Sequence, residues 1–156
     1  MSEQSRTASV SVSTSATIDD LERDARRWIA VETMLFEELG RLARSSDTPV
    51  AARTPLATWC HRHAWHAELW ATRVPVVPHH EFATDDGLGF VEETRTLIVD
   101  DPSVLVTMVL PSLVADHVAA HRQRIDRRVD GPTARILDLV AADYAAELDE
   151  LSPLLA

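Results

Sequence analysis

The sequence predicts an all-α fold, a four-helix bundle with a long irregular connection between helices 2 and 3 that carries a short extra helix. Three observations predict it. Apolar residues recur at spacings of three and four through four long segments, the alternation that marks strands is nearly absent, and prolines and glycines fall between the periodic stretches. The 156 residues, 46% of them hydrophobic, match the length of one domain with one core. Residues 1–17 read as a disordered Ser/Thr-rich tail and residues 18–156 as a single helical domain.

The first helix runs from Asp19 to about Arg44, with Leu21, Ala25, Trp28, Leu35, Leu39 and Leu42 on one stripe. The "SSDTP" segment ends it. Thr54 and Pro55 suit the N-cap and first turn of a second helix reaching about Arg73, which Pro75 and Pro78 stop. The stretch "VPVVPHHEFATDDGLGF" reads as a crossover or lid, with His79 and His80 solvated beside Glu81, and residues 90–99 as the short helix. A third long helix is expected over roughly 102–128, kinked at Pro111. Gly131 and Pro132 then stop and restart the chain for a fourth, ending near Leu151.

Composition narrows the function. A net charge of −10, from 25 acidic and 15 basic residues, disfavours nucleic-acid binding through a broad basic face. No apolar run approaches the ~20 residues of a membrane span, and the N-terminus lacks the cationic start and apolar core of a secretory leader. The expected setting is therefore cytoplasmic. A lone cysteine, Cys60, forms no internal disulfide and rules out multi-thiolate metal sites; it reads as a small buried hydrophobe. Every basic residue is arginine, so lysine Schiff-base and P-loop chemistry are both excluded.

The informative residues are ionisable ones on stripes that should be apolar. Glu32 interrupts the first stripe, while Glu37 and Glu38 fall nearer the solvent edge. In the second helix Trp59, His63, His66 and Trp70 share a face, with His61 and Glu68 on the outer one. The third stripe reads Leu113, His117, Ala120 or His121, and Arg124; the fourth reads Ile136, Leu139 or Val140, Asp143, and Ala146 or Glu147. Antiparallel packing would bring these polar midpoints together. A carboxylate in the core is costly unless paired, so two arrangements stay open: a metal held by Glu32, His63, His66, His117 and Asp143, or a charged hydrogen-bond network among the same groups. Imidazole with carboxylate suits iron, with zinc or manganese as alternatives. Trp59 and Trp70 would wall a substrate pocket, and Arg124 faces either solvent or that pocket, where it would hold an acidic group.

These residues resemble the ferritin-like superfamily. Glu32 stands at the family's first-helix Glu, "HAWH" (His63 to His66) keeps its acid-x2-His spacing with His replacing the acid, and His117 or Asp116 stands at the third-helix Glu. The fourth helix offers Asp143, with Ala146 where the family has His, which leaves open one metal, a His-rich site or a site without metal. "HAWHAELW" followed by "RVP", and "VLPSLVADHVAAH" followed by "DGPTARILDLV", are similar to a group of actinobacterial ferritin-like proteins of unassigned function, over about residues 20–150. A second resemblance lies in "HVAAHRQRI", which is similar to DinB-like bundles. These place one metal on three histidines, the third coming from the second helix as His63 or His66, and include thiol-dependent transferases and isomerases.

The leading expectation is a metal-dependent oxidoreductase, an oxygenase or hydroxylase of a small molecule, with iron as cofactor and His121 and His66 in catalytic roles. The alternatives are a DinB-like single-metal transferase with zinc or nickel, and a metal-free bundle that binds a small ligand or uses a His/acid pair. The expected partners are a small-molecule substrate and, as one assembly, a second copy of the chain, with no nucleic acid and no membrane.

Overall fold

The computed structural model describes residues 16–78 and 88–155. The tail predicted for residues 1–17 is therefore covered only at Ala16 and Thr17, and His79, His80 and Glu81 of the predicted lid lie outside the described residues. Among the described residues the chain is all-helical, with no strand. The helices are α1 (Ile18–Arg44), α2 (Val50–Ala71), α3 (Leu88–Asp100), α4, which is continuous through Leu105–Val109, Leu110–Ser112, Leu113–Val118 and Ala119–Arg124, and α5 (Gly131–Leu155). No helix among the described residues is long and apolar enough to cross a membrane.

Local chemistry explains where α1 begins. The Thr17 hydroxyl accepts from the Asp20 N–H, and the Asp20 carboxylate accepts from the Thr17 N–H, so two otherwise orphaned donors are satisfied reciprocally. The start of α2 corrects the sequence reading. It begins at Val50, a full turn before Thr54, because Ala52 and Leu56 are already buried there against the core. Pro55 thus lies in the second turn, where its missing N–H leaves only the Ala51 carbonyl without an intrahelical partner.

Cross-helix contacts set the topology. Trp28 stacks on Trp70, Glu32 meets His63, and the Phe36 carbonyl accepts from Cys60 at 3.2 Å, so residue numbers rise on α1 as they fall on α2. The pair is antiparallel, as its short connection requires. Gly40 allows the close approach: a Cβ there would stand 3.3 Å from Cys60 Sγ. Next, α5 runs antiparallel to α2, pairing Trp59 with Glu150, His63 with Glu147, His66 with Asp143 and Arg73 with Asp130. Between these helices Leu35, Leu39, Leu56, Leu110, Leu113, Leu137 and Leu151 are buried, each side chain contributing on the order of 2 kcal/mol of apolar burial. Glu38 departs from expectation: it is buried, accepting from Arg41 at 2.7 Å and facing Arg95 of α3.

α4 departs most from the sequence reading. It ends at Arg124, and two stretches, Leu105–Val109 and Leu113–Val118, are π-helical. The first widened turn precedes Pro111, and the Leu110 N–H reaches back five residues to the Leu105 carbonyl. Such a turn relieves the conflict between a proline ring and the preceding helical carbonyl. The second changes which residues face inward. Burial passes from Leu113 to Val118, a step of five, and then to His121. Val118 thereby takes the core position that an α-helical period assigns to His117.

Candidate metal centre

Three of the predicted ligands converge. Glu32 of α1 and His63 and His66 of α2 are wholly buried, and one ligand atom from each lies within 4.8 Å of the other two. On α2 the spacing Trp59, His63, His66, Trp70 is four, three and four, which puts both imidazoles on the helix's one buried face. Glu32 Oε2 sits between them, 2.7 Å from His63 Nδ1 and 3.4 Å from His66 Nδ1.

The opposite ring nitrogens are anchored in a matching way. His63 Nε2 lies 2.9 Å from Glu147 Oε2 and His66 Nε2 lies 2.9 Å from Asp143 Oδ2, both acids coming from α5. Asp143, predicted as a ligand, thus stands behind His66, where Arg62 also grips it at 2.7 Å. The remaining Glu32 oxygen, Oε1, accepts from the Tyr144 hydroxyl at 2.8 Å. Among the described residues, two buried polar atoms of this cluster have no hydrogen-bond partner, His66 Nδ1 and Glu147 Oε1.

The other predicted residues lie elsewhere. His117 is half-buried, its ring 5.0 Å from that of Phe90, and it is not part of the converging group, because the π-helical stretch turns it away from the core face. His121 is buried but belongs to another layer, where its Nδ1 accepts from Trp28 Nε1 at 2.8 Å and its ring stacks on Trp70. Trp70 is therefore shared by α1, α2 and α4 as core. Trp59 donates to Glu150 at 2.7 Å and lies under Arg62, and Arg124 is exposed and bonded to Asp24 at 2.8 Å. Tyr144 is absent from the stripe predicted for the fourth helix, and Glu147 stands on it only as the alternative to Ala146, without a site role. Their signal was present: Leu137, Val140, Tyr144, Glu147 and Leu151 repeat at three and four, one residue out of phase with the stripe drawn through Ile136 and Asp143.

Electrostatics follow from this packing. Burial works to raise the Glu32 pKa, but hydrogen bonds and attraction from His63 and His66 outweigh it, leaving the carboxyl below its ordinary value. Burial likewise opposes a charged His63, yet the carboxylates Glu147 and Glu32 on its two nitrogens push its pKa up to about 10. Tyr144 is raised well above the usual phenol value, first by burial and then by the Glu32 charge.

A metal fits this donor set. Ligands about 2.0–2.1 Å from an ion stand about 2.9–3.4 Å apart in tetrahedral or octahedral shells; the 3.4 Å separation of Glu32 Oε2 from His66 Nδ1 is of that size, while the 2.7 Å one from His63 Nδ1 is a hydrogen-bond contact that would open slightly around an ion. With an ion bound, the carboxylates behind His63 and His66 would accept from the Nε2–H groups, and the ion would take the place of the Nδ1 proton that His63 otherwise directs at Glu32. Compared with protein-family models, curated proteins and solved structures, the chain matches none of them.

Proposed function

We propose that Glu32, His63 and His66 hold one divalent metal ion, and that the chain uses it, as iron, in the oxygen-dependent oxidation of a small molecule. One observation carries this reading. Two imidazoles direct the same nitrogen, Nδ1, toward a single carboxylate oxygen, while the other nitrogen of each is fixed by its own carboxylate. Two histidines and one carboxylate with open positions are the donor set of non-haem iron oxygenases. Bound there, iron would supply dioxygen-dependent redox chemistry at the positions the three ligands leave open.

The protein's own groups have defined tasks in this reading. Glu147 and Asp143 select the tautomer that frees both Nδ1 atoms, and Tyr144 holds its proton on the Glu32 oxygen that faces away from the histidines. Charge also supports it. With neutral imidazoles, three carboxylates and the Arg62 guanidinium sum to −2, the charge a divalent cation would balance. The four long helices that supply these groups and the adjoining aromatic layer support a ferritin-like bundle as the architecture, with the site in its core.

Anaerobic titration of the chelator-treated chain with Fe(II), and with Co(II) as a spectroscopic substitute, tests this. One ion per chain is expected, with uptake abolished in Glu32→Ala and His66→Ala. Absence of uptake at any loading, or uptake unchanged in His66→Ala, would overturn the metal reading. A zinc ion that resists replacement by iron would retain the centre and reject the oxidative chemistry. The direct His63 to Glu32 contact of 2.7 Å favours a second reading, a metal-free Glu32–His63–Glu147 proton-holding network, and the same titration separates the two.

A further inference from the structure

The second widened turn of α4, Leu113–Val118, forms one wall of a cavity of about 250 Å³ between α4 and α1, lined by none of Glu32, His63 and His66. The accessible part of its lining is polar: Arg27 from α1, and Asp116, half-buried His117 and Arg124 from α4. We infer that this cavity binds the carboxylate of a small monocarboxylic acid, held between the Arg27 guanidinium and the His117 imidazole.

The widened turn decides what this wall presents. A regular α-helical period would carry His117 into the core; the step of five from Leu113 to Val118 leaves it in the cavity lining instead, beside exposed Asp116. Such turns are rare inside α-helices and frequently mark functional sites. From α3, the Phe90 ring braces the donors of both helices. The Arg27 guanidinium lies 5.7 Å from its centroid and the His117 ring 5.0 Å. That contact restrains an otherwise exposed arginine, so less freedom is lost when it grips a ligand.

Partners and charge choose the ligand. Neither Arg27 nor His117 makes a hydrogen bond or ion pair among the described residues, so the N–H groups of both are free to donate. Arg124, by contrast, is engaged with Asp24 at 2.8 Å. Burial, and then the Arg27 charge, hold His117 below its ordinary pKa, so near neutral pH it is an uncharged ring with one N–H. In the wall Arg27 and Arg124 balance Asp24 and Asp116. One added negative charge is therefore accommodated better than two, and the planar fork of Arg27 matches a carboxylate. At roughly 30 Å³ per water-sized group the volume holds about eight of them, which limits the ligand to a short-chain acid.

The test is an NMR titration of the full chain with propionate, following the His117 ring and the Arg27 side-chain N–H. Chelator is present, so no metal ion takes the carboxylate and the result is separate from the fate of the metal centre. Saturable shifts at both signals are expected, with propionamide and doubly charged sulfate each about fivefold weaker or more. Arg27→Gln should weaken propionate about tenfold, and His117→Phe, which keeps a ring against Phe90, about fivefold. Asp116→Asn removes a like charge from the wall and should tighten propionate about twofold, a gain that loss of fold does not produce. Equal binding of propionamide would overturn the ionic contact, and equal binding of sulfate would overturn the choice of a singly charged acid. Binding unchanged in Arg27→Gln, or no shifts in the unaltered chain, would overturn the site.

Discussion

Two layers of the same core, one helical turn apart on α1, treat a buried histidine in opposite ways. In the Glu32 layer both nitrogens of His63 meet carboxylates, and its pKa is pushed up to about 10. In the Trp28 layer the Nδ1 of His121 meets an indole N–H, burial dominates, and the pKa falls below the ordinary value. Both rings are almost inaccessible to solvent. What differs is the partner on each nitrogen, an acceptor in one layer and a donor in the other, so partner chemistry and not depth decides whether a core histidine carries charge or holds a lone pair.

The largest way to break the contrast is Glu32→Ala. It strips His63 Nδ1 and the Tyr144 hydroxyl of a shared acceptor at once, and should cost about 3–5 kcal/mol in urea denaturation of the metal-free chain. Tyr144→Phe is milder, leaving one Glu32 oxygen buried and unpaired for about 1–3 kcal/mol. Trp28→Phe keeps a ring on Trp70 but removes the donor to His121. About 1 kcal/mol should be lost, and the His121 pKa should rise, read from its ring carbon shifts by NMR.

A pH series sharpens the comparison with smaller steps. The raised pKa of His63 contributes stability that is whole below pH 6.5 and is lost as pH climbs through about 10. The lowered pKa of His121 contributes stability that is whole above 6.5 and is lost as pH falls through its folded value. Melting of the metal-free chain should therefore weaken at both ends, and Trp28→Phe should relieve only the acid side. Arg62→Ala should have the smallest effect on stability, under about 1 kcal/mol, because the Arg62 side chain of the ion pair is 45% exposed. Metal affinity in that variant reports whether the charge behind Asp143 matters to the centre.

Helix existence and the α1 and α2 stripes were legible because both helices keep a regular α-helical period: Trp28 and Glu32 on one, Trp59, His63, His66 and Trp70 on the other, fall where the spacing puts them. In α5 the period was legible but its phase was not. Two stripes one residue apart both contained apolar residues and one acid, and packing against α2 chose the one through Tyr144 and Glu147. In α4 the period itself changes, so a count in threes and fours carried His117 inward where the widened turn between Leu113 and Val118 carries it out.

By itself, then, the sequence determined an all-helical chain whose first two long helices each bury ionisable groups, since local periodicity depends only on residue order. Tertiary structure alone decided the rest: that Glu32 lies between His63 and His66, that Glu147 and Asp143 stand behind them, and that His121 joins Trp28 instead. The reason is physical. Which nitrogen meets which partner depends on the phase and register of one helix against another, and these are set by the packing of whole faces and by two π turns, not by the spacing within any one segment.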